Sequence, residues 1–190
     1  MANDAGLILR LQAGDLEALG IVYDRHKQLV FRTALAITGD ADAAADLLQD
    51  VFLRMYRFIC RFDPQLPMEP WLYRMTANLS YTWVRRHRWL RPLEDVVEWL
   101  AGDRRASPPH MAEVNEENRF VQQAISALPI SQRIVVVLYY IDDLSLLEIS
   151  EILEIPEGTV KSRLHYGRQA LKNRLILQGV SLPDMQYEFT

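Results

Sequence analysis

The chain has one cysteine, Cys60, among its 190 residues, so an intramolecular disulfide is excluded and a reducing compartment, the cytoplasm, is the expected setting. No apolar run approaches the ~20 residues that cross a bilayer. The densest, Ile134 to Ile141, has the length of a core helix. Residues 1–14 lack the basic-then-apolar order of a secretion signal, so neither export nor membrane insertion is expected. Histidine is scarce and scattered (His26, His87, His110, His165), with no metal-ligand spacing, and there is no glycine-rich phosphate loop. Metal, cofactor and active site are therefore not expected, which argues against an enzyme. The two-residue alternation of a half-buried strand is missing throughout. Positive charge is not in excess either. The formal net charge of −4 is unsuited to a free-standing, tight nucleic-acid binder unless basic residues gather locally.

What is present is helical periodicity in nearly every segment, and a hydrophobic content of 49%, enough for real cores and too much for general disorder. The prediction is an all-α fold: two small helical domains joined by a linker, the C-terminal one containing a helix-turn-helix. Asn3 or Asp4 caps a first helix through Gln12. Asp15 caps a long one to about Thr38, with Leu16, Leu19, Val22, Tyr23, Val30 and Leu35 on its buried side, and Gly39-Asp40 closes it. Asp42 begins a third helix to about Arg61, its apolar face running from Ala44 through Leu47, Leu48, Val51, Phe52 and Met55 to Phe58. Three prolines keep Asp63 to Pro70 non-helical, and Pro70 suits the first turn of a helix from Trp71 to about Trp89. Residues 1–91 form the N-terminal domain and 92–112, rich in Pro, Gly and acids, the linker. Residues 113–178 form the C-terminal domain and 179–190 a tail.

The strongest local signal is Ser145-Leu-Leu-Glu148, a capping box ahead of an apolar run. Its helix ends near Leu153, and a turn through Ile155, Pro156 and Gly158 leads into a helix from about Thr159 to Leu177. Two helices and a tight turn, the second basic, spell a helix-turn-helix. At 100° per residue, Val160, Leu164, Leu171 and Leu175 share one side. Ser162, Tyr166, Gln169 and Asn173 share the other, flanked by Lys161, His165 and Lys172. Between Glu157 and Arg174 five basic residues face one acid, a local excess of four positive charges in an acidic chain. A solvated amphipathic helix would carry similar charge; the capped helix and short turn before it favour DNA contact.

The N-terminal half carries two further constellations. From Trp71 to Trp89, aromatics (Trp71, Tyr73, Tyr81, Trp83, Trp89) alternate with Arg74, Arg85, Arg86 and Arg88, with no acid between them. Aromatics stack on unpaired bases and arginines follow phosphates, as a single strand requires. Trp71, Leu72, Met75 and Leu79 read equally as core, which leaves the arginines as the better phosphate contacts. By contrast, Asp40, Asp42, Asp46 and Asp50 gather with Gln49 at the start of the third helix. Acids suit a helix N-terminus, yet Asp46 and Asp50 repel one another a turn apart, which a basic protein partner would relieve.

Four stretches, in order, resemble the extracytoplasmic-function (ECF) RNA polymerase sigma factors. The run from Asp42 through Asp46, Gln49 and Asp50 to Arg54 resembles the segment that docks on the polymerase clamp helices. Pro70-Trp-Leu-Tyr-Arg with Asn78-Leu and the arginines after it resembles the segment that melts and reads the downstream promoter element. Ala127-Leu-Pro with Arg133 resembles the opening of the family's C-terminal domain. Leu144 to Leu171, centred on Glu157-Gly-Thr-Val-Lys-Ser-Arg-Leu-His, resembles its upstream-element reader.

The resemblance implies that Asp46, Gln49 and Asp50 contact core RNA polymerase. It implies that Asn78, Thr82, Arg85, Arg86 and Arg88 meet the unpaired downstream strand, the Asp63–Pro70 loop holding a flipped base. Thr159, Lys161, Ser162, His165, Tyr166 and Gln169 would meet the duplex upstream element. Thr82 stands where the family usually has Asp or Asn, and Tyr166 where an arginine often contacts DNA. The acidic linker would thread the polymerase interior or serve as a solvated tether. An anti-sigma protein commonly clamps both domains of family members. The alternative is a conventional helix-turn-helix regulator outside the polymerase, which should carry an α/β receiver or ligand domain in front; an adaptor binding only protein would have no use for Lys161 and Ser162.

Overall fold

The computed structural model describes residues 5–87 and 121–177; the linker, the tail, Arg88, Trp89 and the caps Asn3 and Asp4 lie outside the described residues. Among the described residues all regular structure is helical. The N-terminal unit comprises α1 (Ala5–Gln12), α2 (Leu16–Thr38), α3 (Ala41–Phe58) and α4 (Met68–His87). Helical residues 121–126 lead into α5 (Ile130–Tyr140), α6 (Leu146–Leu153) and α7 (Glu157–Leu177).

Local chemistry sets the boundaries. Asp15 caps α2 as expected, its carboxylate accepting from the backbone N–H groups of Glu17 (2.9 Å) and Ala18 (3.3 Å). A hydrogen bond from Arg10 is the main reason its carboxyl sits below the usual range. Gly39 ends α2 at φ +72°, in the left-handed region, its N–H donating to Leu35 O at 2.8 Å. Asp40, rather than Asp42, caps α3 by accepting from Ala43 N at 2.9 Å. The helix stops at Phe58 and tightens into a 3-10 turn, Ile59–Arg61, instead of running on to Arg61. Gln12 of α1 explains the stop, donating to the carbonyls of Ile59 (2.9 Å) and Phe62 (2.8 Å). The fourth helix begins at Met68, inside the stretch expected to be irregular, because Pro70 then falls in the first turn, where its missing N–H costs nothing.

Ile8, Leu11, Val22, Val30, Val51, Met55 and Leu72 form the N-terminal core. On α2 the inward stripe is Ala18, Val22, His26 and Val30, which turns Leu16 and Tyr23 to the side; both were expected inside, yet they are 65% and 36% exposed. Phe58 of α3 is likewise exposed. The C-terminal core centres on α5, where Val135, Val136, Val137 and Leu138 are buried in succession, as in a helix covered on all sides. Ile149 and Ile152 of α6 and Val160 and Leu164 of α7 supply part of that cover. The rest comes from the N-terminal unit: Ala36 and Ile37 of α2, Tyr73 and Ala77 of α4.

Candidate nucleic-acid interface

The capping box at the start of α6 is formed. Ser145 Oγ accepts from Glu148 N (3.2 Å), and Ser145 N donates to Glu148 Oε2 (2.8 Å). Those bonds hold the Glu148 carboxyl below its ordinary range, the Ser145 hydroxyl first among the causes. Glu154 ends the helix in the left-handed region at φ +52°. Ser150 Oγ ties the turn by donating to Ile155 O at 2.7 Å, and Pro156 O accepts from Thr159 N and Val160 N. The helix α7 therefore begins at Glu157, two residues ahead of the expected start.

Orientation of α7 follows from its buried side. Val160, Leu164 and Leu175 are buried and Leu171 is partly buried, as the angular reading requires. Gly167 lies against α5, where a Cβ would meet Val136 Cγ2 at 2.7 Å. The other side is open: Lys161, Ser162, His165, Tyr166 and Gln169 are exposed together, and Thr159 is half-buried beside them. Ser162 Oγ donates to Thr159 O (3.0 Å), Lys161 Nζ pairs with Glu157 (3.0 Å), and the His165 and Tyr166 rings meet edge-on. The helix thus presents hydroxyls, an imidazole, an amide and a movable cation, the mixture that reads base edges and phosphates in a major groove.

Along α4, Asn78, Thr82, Arg85 and Arg86 are exposed within an arc of about 100°. Thr82 Oγ1 donates back to Asn78 O at 2.9 Å, and the Arg85 guanidinium lies 5.8 Å from the Tyr81 ring centre. Tyr81, Thr82, Arg85 and Arg86 line a shallow cleft. The other described aromatics divide as core and edge. Tyr73 is buried, Trp71 stacks on Phe62 at 4.6 Å, and Trp83 packs beside Ala34, Ala44 and Leu47 while stacking on His87. Tyr81, 36% exposed, is thus the aromatic that accompanies the arginine face.

On α3, Asp46, Gln49 and Asp50 are exposed above buried Ala43, Ala44, Leu47 and Val51. Beside them runs an apolar groove between α2 and α3, lined by Leu16, Tyr23, Gln49, Phe52, Leu53 and Tyr56. Leu16, Tyr23 and Leu53 were not foreseen as site residues. Leu53, 67% exposed one turn from Gln49, is the signal that points to them: a large apolar side chain standing in water beside a polar patch marks a protein-contact face.

Two family descriptions match this chain: Sigma-70 region 2 over residues 22–90 and Sigma-70, region 4 over residues 121–171. The first spans α3 and α4, the second α5 to most of α7. The ECF RNA polymerase sigma factor SigW of Bacillus subtilis is 36% identical over 176 residues, covering 88% of this chain and 94% of that one. SigM of the same organism is 33% identical over 80% of this chain and 91% of its own length. The ECF sigma-E factor of Escherichia coli K12 is 28% identical over 91% and 94%. Among solved structures the fold resembles CnrH in complex with the cytosolic domain of CnrY (TM-score 0.69, 23% identity, 94% of this chain and 99% of that one). It also resembles the sigma factor RpoE in complex with the anti-sigma factor NepR from Bartonella quintana (TM-score 0.58, 20% identity, 80% and 92%). With both halves matched in order and SigW aligned over nearly its whole length, this chain belongs to the ECF sigma-factor family.

Proposed function

We propose that this chain performs the family's task, binding core RNA polymerase and directing promoter-specific initiation, through three separate faces. Asp46, Gln49 and Asp50, with the apolar groove beside Leu53, dock on polymerase. Asn78, Thr82, Arg85 and Arg86, continued by Arg88, follow the unpaired downstream strand, and the loop before α4 receives an extruded base. Thr159, Lys161, Ser162, His165, Tyr166 and Gln169 read the upstream element as duplex. The division of labour is by domain: 1–91 for polymerase and the downstream element, 113–178 for the upstream element, 92–112 as the connection. Trapping unpaired bases draws the melting equilibrium toward the open complex, so the protein needs no active site of its own. The work is cytoplasmic, and an anti-sigma protein restrains the factor until it is required.

The observation that carries this reading is the open, hydrogen-bonding side of α7, turned outward by the burial of Val160, Leu164 and Leu175 on its other side and preceded by the capped helix α6. The test is in vitro transcription from a genomic library with sigma-free core polymerase, followed by start-site mapping. Transcripts from a defined promoter class are expected. RNA synthesis that never begins at a defined site defeats the reading. With basic stripes on a body of net charge −4, the free chain should bind promoter DNA weakly and lose that binding steeply with salt.

A further inference from the structure

The outward face of α3 carries opposite charge toward its two ends. At 100° per residue, Asp46, Asp50, Leu53 and Arg57 fall within an arc of about 60°, bordered by Gln49 on one side and Arg54 on the other. These residues are exposed, as are Asp42 at the start of the helix and Arg61 just past its end. Acids thus occupy the first half of the stripe and arginines the second, with Leu53, 67% exposed, between them. A helix dipole favours that order only in the first and last turns, whereas Asp46, Asp50 and Arg54 lie in the middle of Ala41–Phe58. Among the described residues, none of these aspartates and arginines is engaged in an ion pair. Arg57 and Arg61 instead flank the exposed ring of Phe58, at 5.8 and 6.0 Å from its centre. Docking on polymerase through Asp46, Gln49, Asp50 and Leu53 leaves the arginines without a task.

Such a stripe is complementary to itself. A two-fold axis crossing α3 between Val51 and Phe52 sets two copies of the helix antiparallel. Asp46 of each copy then comes level with Arg57 of the other, Asp42 with Arg61, Gln49 with Arg54, and Asp50 with Leu53. Every attraction occurs twice, as in any isologous contact. The two Leu53 side chains meet beside the axis, where each leaves the water it now stands in. A parallel arrangement would set acid on acid and arginine on arginine, so charge selects the antiparallel one.

We propose that two copies of this chain pair through α3, in a salt-sensitive dimer that covers Asp46, Gln49, Asp50 and Leu53. Exposed ion pairs contribute little each, so the pairing is weak and reversible, and core polymerase competes for the same face. Chains made in excess of polymerase are thereby set aside. The pairing follows from the charge pattern alone; the competition rests on the polymerase-docking reading of this face given above.

Sedimentation equilibrium of the full chain tests the pairing. The parent should show a reversible monomer–dimer equilibrium that added salt pushes toward monomer. Asp46→Arg sets arginine against Arg57 at both symmetric contacts and should weaken pairing on the order of tenfold. Arg57→Asp, which sets acid against Asp46, should do the same. Both side chains are exposed, so neither reversal disturbs the core. Mixing the two variants, one of them fluorescently tagged, restores opposite charge at both contacts and should give a mixed dimer as strong as the parent's. The double variant Asp46→Arg, Arg57→Asp should pair with itself again. A parent that stays monomeric, single variants that pair as the parent does, or a mixture that stays monomeric would each overturn the proposal. Polymerase binding is read separately. The double variant should recover pairing yet still dock poorly, because polymerase offers no matching reversal; docking at the parent's strength would sink the docking reading while the pairing stood. Core polymerase added to parent dimers should take them apart, and a dimer that remained intact on polymerase would overturn the competition.

Discussion

At the scale of single residues, the capping box of α6 shows how one hydroxyl positions a DNA-reading element. Ser145 satisfies an N–H that would otherwise lack a partner, and Glu148 answers it. Replacing Ser145 with Ala should lower stability by about 1 kcal/mol, seen as a lower urea midpoint with the denaturant slope unchanged. The cap also has a pH signature. Because the Glu148 carboxyl is held below its ordinary value of 4.5, its contribution is present above that value and is lost as pH falls through the lowered one. The gap between the parent chain and Ser145→Ala should therefore narrow in acid, and a gap that widens would contradict the cap. Lys161 makes a different case. Its pair with Glu157 is half in water, worth about 0.3–0.5 kcal/mol, so Lys161→Ala should barely move the melting temperature. Holoenzyme binding to upstream-element duplex should weaken, and the salt slope should fall by about 1 if the lysine meets a phosphate. An unchanged slope would remove Lys161 from the phosphate contacts.

At the scale of elements, α7 stands where it does because Gly167 lets it approach α5. A Cβ there would meet Val136 Cγ2, and Val136, 2% exposed, has little room to give way. Gly167→Ala should cost about 1–3 kcal/mol and tilt the reading face, measurable as a lower thermal midpoint together with weaker promoter binding. A fully stable variant would mean that α5 and α7 slide apart freely. This helix was legible in the sequence because its two faces differ so sharply: Val160, Leu164 and Leu175 are buried, while Lys161, Ser162 and Gln169 are exposed. Elsewhere the periodicity was right and the details were not. Apolar spacing put Leu16 and Tyr23 inside α2, whereas alanine, histidine and threonine share its buried stripe with valine, a composition that hydropathy cannot find. The start of α4 at Met68 escaped because two prolines flank it, and a proline in a first turn looks, in sequence, much like one in a loop. The early end of α3 depends on Gln12, a long-range partner that no local pattern announces.

At the scale of the whole molecule, the sequence announces two helical units but is silent on how they meet. Ala36, Ile37, Tyr73 and Ala77 carry no mark that sets them apart from ordinary core, yet they pack against the other unit. Asp142 reads as a turn residue until Arg32 and Thr33, more than a hundred positions earlier, are found beside it. That contact has a thermal consequence. Around it Ala36, Ile37, Tyr73 and Ala77 share one apolar cluster with the helices of the C-terminal unit, and hydrocarbon held out of water is held less firmly as temperature falls. Chilling should reversibly lengthen the distance between dyes on exposed Cys60 and on Ile176→Cys, with the helical circular dichroism of both units intact; a distance that shortens in the cold would mean that ions, not side-chain carbon, keep the units together. Warmth would then shut the molecule and cold would loosen it, a heat-capacity response lodged in a seam rather than in either core.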